Sequence, residues 1–127
     1  MISLEEVLKL HERSIRDFGG SLGIRDKNLL ESALSRSFQS FGNVEFYPSI
    51  FEKTAALIES IVKNHPFVDG NKRAGFLAAY FFLFRNNYEL TASQETAYEF
   101  VINIASSQIS FEQIVEAIQQ NSILIES

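Results

Sequence analysis

No cysteine occurs among the 127 residues, so a thiolate nucleophile, a zinc–thiolate site and a disulfide framework are all excluded. Thiol redox chemistry goes with them, and the composition suits a reducing cytoplasm. Basic charge is scarce too. Eleven Lys and Arg face 16 Asp and Glu, and the net charge of −5 argues against nucleic acid as a partner, because cationic side chains supply most nonspecific affinity for it. Met1 to Leu10 alternates charged and apolar residues instead of placing a basic stretch before an apolar one, so no secretory signal is expected. The most apolar run, Ala74 to Phe84, falls short of the roughly 20 helical residues that cross a bilayer. Repeats, linkers and low-complexity segments are missing as well. What is present is a 46% hydrophobic chain, long enough to bury a core without metal or disulfide staples. A single domain over residues 1–127 is expected, cytoplasmic, with a protein and not a membrane as its partner.

Helical periodicity dominates the chain. Ser3-Leu4-Glu5-Glu6 has the form of a capping box, and Leu4, Val7, Leu8, His11, Ile15 and Phe18 follow at helical spacing up to Gly19-Gly20. His11 lies on that apolar stripe and reads as a hydrogen-bonded core histidine. Asp26 is placed to cap a second helix with Leu29, Leu30, Ala33 and Leu34 inward, continuing toward Phe38 and stopping by Gly42. Asn43, Val44, Glu45, Phe46 and Tyr47 break the period and read as an extended or hairpin-like excursion closed by Pro48. A second capping box, Ser49 to Glu52, opens a helix that runs to Asn64 and ends at His65-Pro66. Ala74 to Phe84 is apolar on every side, the pattern of a central helix surrounded by others. Helices over 93–106 and 110–120 complete an all-α bundle of about six helices with one short flap, the last of them opened by a third box at Ser110.

The segment His65-Pro66-Phe67-Val68-Asp69-Gly70-Asn71-Lys72-Arg73 is a polar loop between an amphipathic helix and the most apolar one. Asp69-Gly70 marks a turn and Asn71 suits an N-cap, so the amides that follow should face the loop unpaired, which makes an anion site. Lys72 and Arg73 add positive charge where a helix dipole disfavours it by about 0.3–1 kcal/mol. An anionic ligand would offset that cost. Gly70 lets backbone approach a phosphate, Asp69 is a hard oxygen ligand suited to Mg²⁺, and histidine is the side chain best able to take a proton near neutral pH.

These residues resemble the Fic/Doc signature, His-x-Phe-x-(Asp or Glu)-Gly-Asn-(Gly or Lys)-Arg, without a gap. Six specified positions give a chance match rate on the order of 10⁻⁸ per start point. The string Gly23-Ile24-Arg25-Asp26 before Leu29-Leu30-Glu31-Ser32-Ala33-Leu34, then Tyr47-Pro48, is similar to the death-on-curing branch that contains Doc toxins. The resemblance implies a small helical fold in which His65 deprotonates a target hydroxyl, Asp69 holds Mg²⁺ on a nucleoside triphosphate, Asn71 orients and Arg73 binds phosphate.

Members that transfer AMP carry Gly-Asn-Gly and a second arginine three residues after the first; here Lys72 and Phe76 stand at those positions. Doc toxins share the lysine, and the resemblance then implies transfer of the γ-phosphoryl of ATP to a protein Ser or Thr, with elongation factor Tu as the family substrate. Residues 43–47 sit where the family places a flap that aligns the target by strand addition. A small antitoxin partner is implied in the same way, and the inhibitory helix string of some Fic proteins is not found here. AMP transfer in the Fic manner and a catalytically idle binding module are the alternatives.

Overall fold

Side-chain caps open five of the six helices in the computed structural model, which describes residues 1–125. In chain order the elements are α1 (Leu4–Phe18), α2 (Lys27–Arg36), β1 (Ser40–Phe41), β2 (Val44–Glu45), α3 (Ile50–Asn64), α4 (Asn71–Arg85), β3 (Tyr88–Leu90), α5 (Gln94–Ala105), α6 (Phe111–Gln120) and β4 (Ser122–Leu124). Ser3 and Glu6 exchange both bonds of a capping box, as do Ser110 and Gln113. At α3 only half of the predicted box forms: Ser49 accepts from the Glu52 amide, but Glu52 does not reach back. Asp26 caps α2 through the Leu29 amide at 3.1 Å. The exception is α4, whose cap position is Gly70 and carries no side-chain hydrogen bond.

The hydrophobic residues collect on two sides of α3. Leu57 and Ile61 pack with Val7, Leu30, Ala78 and Phe82 on one side, while Ala55, Ile58 and Val62 pack with Leu83, Val101, Ile104, Ile114 and Ile118 on the other. A helix used on both faces is the most enclosed one, and nine of the 15 residues of α3 are buried. α4, expected to be the central helix, also contributes to both sides, Ala74, Ala78 and Phe82 to one and Ala79 and Leu83 to the other, but with seven buried residues it is less enclosed. It turns its small residues, Ala74, Gly75, Ala78 and Ala79, inward and leaves Phe84 exposed. Small residues let the two backbones approach: a Cβ at Gly75 would lie 2.7 Å from the Val62 side chain and 3.5 Å from the Ile58 carbonyl oxygen. Each fully buried Ile, Leu or Val at this crossing contributes about 1.5–3 kcal/mol.

Helix α2 ends at Arg36, earlier than the predicted continuation toward Phe38. The chain then forms an antiparallel β1–β2 hairpin with Gly42 first in its two-residue turn, at φ 63. The flap thus begins at Ser40, before the expected Asn43. Asn43 lies in the turn, Val44 and Glu45 form β2, and the Phe46 amide extends the ladder to the Gln39 carbonyl at 3.0 Å. Tyr47 is an anchor: its hydroxyl accepts from Arg36 Nε at 3.0 Å, and its carbonyl accepts from the Lys53 ammonium. Lys53, buried at the hairpin base, also reaches Glu45 at 2.9 Å.

The second small sheet pairs β3 with β4, Glu89 opposite Ile123. It accounts for the apolar tail Ile123-Leu124-Ile125, for which periodicity predicted no element, and Ile125 closes it by donating to the Asn87 carbonyl at 2.8 Å. Among the described residues no helix is long and apolar enough to cross a membrane.

Candidate active site

The polar loop runs from the C-terminus of α3 to the start of α4. His65 ends α3 in the left-handed region, φ 50 and ψ 58, and its side chain is exposed. A non-glycine residue there is strained by about 1–3 kcal/mol, and the following Pro66 disfavours helical backbone at that position as well. Asn71 was expected to be the N-cap; it is instead the first residue of α4, and its buried side chain looks back into the loop. Its Oδ1 accepts from the Phe67 amide at 2.9 Å and its Nδ2 donates to the Phe67 carbonyl at 3.0 Å. The tight turn satisfies the loop's own polar groups, leaving the helix start to a glycine in the left-handed region, φ 76.

The consequence is an open helix N-terminus. The first helical bond at this end is from the Ala74 amide to the Gly70 carbonyl, 2.9 Å. Among the described residues, the amides of Asn71, Lys72 and Arg73 meet no protein acceptor, which is the arrangement that favours an anion. Lys72 is exposed at the same end. Arg73 is half-buried; one guanidinium nitrogen donates to the carbonyls of Ser14 at 3.0 Å and Gly19 at 3.3 Å, and the group lies 5.6 Å from the Phe18 ring centre. Among the described residues its other N–H groups meet no acceptor and could serve a ligand beside the helix start.

Asp69 accepts from the amides of Ser21 at 3.1 Å and Gly70 at 2.8 Å. Those two bonds, Ser21 first, hold its carboxyl below the usual carboxylate range, and the charge of Arg73 adds to the effect. The group is therefore ionised at neutral pH with lone pairs to spare. Among the described residues no cluster of three His, Cys, Asp or Glu forms. One hard carboxylate beside unpaired helix amides does fit Mg²⁺, which binds through one or two carboxylates while phosphates complete its shell.

The Asn71 amide presents its NH₂ end to His65, 3.4 Å from Nδ1. That is long for a hydrogen bond, so the contact biases the neutral ring toward a lone pair on Nδ1 without fixing it.

Sequence reasoning missed the clamps outside the motif. The segment before α2 forms an antiparallel bridge, Ile24 with Phe67, and Gly23 accepts from the Val68 amide at 3.0 Å. The amides of Arg25 and Asp26 both donate to the Pro66 carbonyl, at 2.7 and 3.0 Å. The Arg25 guanidinium donates to the carbonyls of His65 at 2.6 Å and Asn64 at 2.7 Å. His11, predicted as a core histidine without chemistry, is buried; its Nε2 donates to the Asp69 carbonyl at 2.7 Å and its ring stacks on Phe67, centroids 3.8 Å apart. A polar residue on an apolar stripe was the only available signal. Phe76 lines an apolar cavity of about 70 Å³ with Leu90, Phe100 and Ile118. The flap presents Phe41 and Val44, 82% and 68% exposed.

The sequence model of the Fic/DOC family matches residues 1–83. A protein named Toxin Doc, from Mycolicibacterium smegmatis, is 44% identical over 75 residues, 59% of this chain and 58% of that protein's length. Protein kinase doc of Escherichia phage P1 is 29% identical over 119 residues, covering 94% of this chain and 93% of its own.

Proposed function

We propose, because this chain belongs to the Fic/DOC family, that it is a toxin of the Doc type transferring the γ-phosphoryl group of ATP to a Ser or Thr hydroxyl of a protein, with elongation factor Tu as the first candidate target. The observation that carries the reading is the uncapped start of α4, where unpaired amides, Lys72 and Arg73 share one end with the ionised Asp69. The names of the two relatives, a toxin and a protein kinase, support it.

In this scheme the Asn71, Lys72 and Arg73 amides, the Lys72 ammonium and the free guanidinium edge of Arg73 hold the triphosphate, and Gly70 lets the backbone come close. Asp69 would hold Mg²⁺, which when bound neutralises phosphate charge and polarises the transferred group. His65 takes the proton of the target hydroxyl as its oxygen bonds to the γ-phosphorus, and the bond to the β-phosphate oxygen breaks to release ADP. Acting through Nε2 requires the ring proton on Nδ1; the long Asn71 contact and the exposed ring make that exchange cheap. The work is positioning and charge stabilisation. The exposed hairpin 40–45 offers a strand edge to the target backbone, with Val44 and Phe46 alongside and Tyr47 anchoring its base. Residues 1–125 act as one domain in this reading, since α5 and α6 share the second core with α3 and α4, and the last two residues of the expected 1–127 lie outside the described ones. A small antitoxin in the same cytoplasm completes the proposal.

Lys72 and Phe76 stand where AMP-transferring members have glycine and arginine, which favours phosphoryl over AMP transfer. The experiment is intact-mass analysis of elongation factor Tu incubated with the protein, Mg²⁺ and ATP, beside His65→Ala. A phosphate increment absent with the variant is expected. An AMP increment would replace the kinase by the nucleotide-transfer reading, and no His65-dependent adduct on this or any lysate protein would leave a binding module.

A further inference from the structure

We infer that Arg25 is a positioning residue for His65, its guanidinium holding the backbone that presents the imidazole. The inference rests on the reading of His65 as the base. His65 sits in left-handed backbone directly before a proline, a combination the local sequence opposes. Its ring is exposed, with one polar neighbour among the described residues at 3.4 Å, so side-chain packing does little to place it. Where the ring points therefore follows from the backbone at His65.

Arg25 grips that backbone at two places. Its Nε and Nη2 donate to the His65 and Asn64 carbonyls at 2.6 and 2.7 Å, charge-assisted bonds at the negative end of α3. Both carbonyls lie at an exposed helix end where water would otherwise satisfy them. What the guanidinium adds is geometry: a planar fork fixes the relative direction of two successive carbonyls. The arginine is itself held, since its amide and that of Asp26 donate to the Pro66 carbonyl while Asp26 caps α2. The start of α2 is thereby tied to the end of α3, across the residue that presents the base. Lysine has no fork and can serve one carbonyl well but not both.

The test is Arg25→Gln with Arg25→Lys as the second variant, read by NMR and by steady-state kinetics. The chain has two histidines, His11 and His65, so His65→Ala and His11→Ala assign both sets of signals. Backbone shifts of His65 should leave their left-handed values in Arg25→Gln while those of His11 stay. Target phosphorylation should fall about 100-fold in kcat, the scale of a misplaced reacting group, with KM for ATP changed less than about twofold. Arg25→Lys should lie between, and it carries the test if Arg25→Gln does not fold. His65 shifts that stay in place in the folded variant, or a loss confined to KM, overturn the inference. Wild-type protein that modifies no target overturns the kinase reading alone; the His65 shifts then still decide the role of Arg25.

Discussion

Replacing Gly20 by alanine puts a methyl group into the carboxylate proposed to bind metal. Gly20 has φ 112, a conformation L-residues rarely adopt, and its Cβ would lie 2.7 Å from Asp69 Oδ2 and 3.0 Å from Ile15 Cδ1. Backbone strain of this kind costs about 1–3 kcal/mol. The contact at 2.7 Å must then be relieved by moving Asp69 or by moving the chain that carries the Ser21 amide, and either movement breaks the bond that lowers the Asp69 pKa most. Gly19→Ala is the control: φ is 88, so backbone strain is present, but nothing lies within 4 Å of its Cβ. Both variants should lose stability, and at this chain length 2 kcal/mol lowers Tm by about 8 °C. Only Gly20→Ala should raise the Asp69 pKa toward its ordinary value, followed by NMR of the side-chain carboxyl, and weaken Mg²⁺-dependent ATP binding by calorimetry. Equal Asp69 titrations in the two variants would refute the assignment of that carboxylate to this clamp.

Gly75→Ala should cost about 1–3 kcal/mol through overpacking against Val62, measured by urea unfolding, because the α3–α4 approach leaves no room for a methyl. Glu6, drawn from 4.5 to about 2 chiefly by hydrogen bonds from Arg85, is a depressed acid. Its contribution is present above pH 4.5 and lost as pH falls through about 2, so the stability gap between wild type and Glu6→Gln should close in acid; lying partly exposed at the surface, it should also shrink with salt. Lys53→Met should free the hairpin, speeding hydrogen exchange at the Phe46 amide, since Lys53 serves Glu45 and the Tyr47 carbonyl at the hairpin base. Unchanged exchange would show that the β-turn alone holds it.

Capping residues and apolar periodicity located five of the six helices and an unbroken apolar run located α4, because these signals are local and helix packing only has to use them. They erred where tertiary contact decides. Both α3 and α4 contribute to both sides of the core, and that α3 is the more enclosed, with nine buried residues against seven, is set by packing and not by a local pattern. The β3–β4 pair joins three-residue segments more than 30 positions apart, too short to show a period. The site divides the same way. His65, Asp69, Gly70, Asn71, Lys72 and Arg73 lie within nine residues, so their order already suggested proximity, and the structure keeps them together around the left-handed Gly70 and the uncapped start of α4. The clamps come from elsewhere: His11 on Asp69, Ser21 on its carboxylate, Arg25 on His65 and Ser14 on Arg73 are long-range bonds with no local signature. Asn71 begins α4 instead of capping it for a physical reason. A side chain that bonds both polar groups of the Phe67 backbone cannot also cap the helix it begins.

The most direct test of the central claim is a paired labelling experiment. Elongation factor Tu is incubated with the protein, Mg²⁺ and ATP carrying its label on either the γ- or the α-phosphate, with His65→Ala beside each. Label should pass to the target from the γ position only and disappear with the variant. Label passing from the α position, or γ-label that persists without His65, would contradict it.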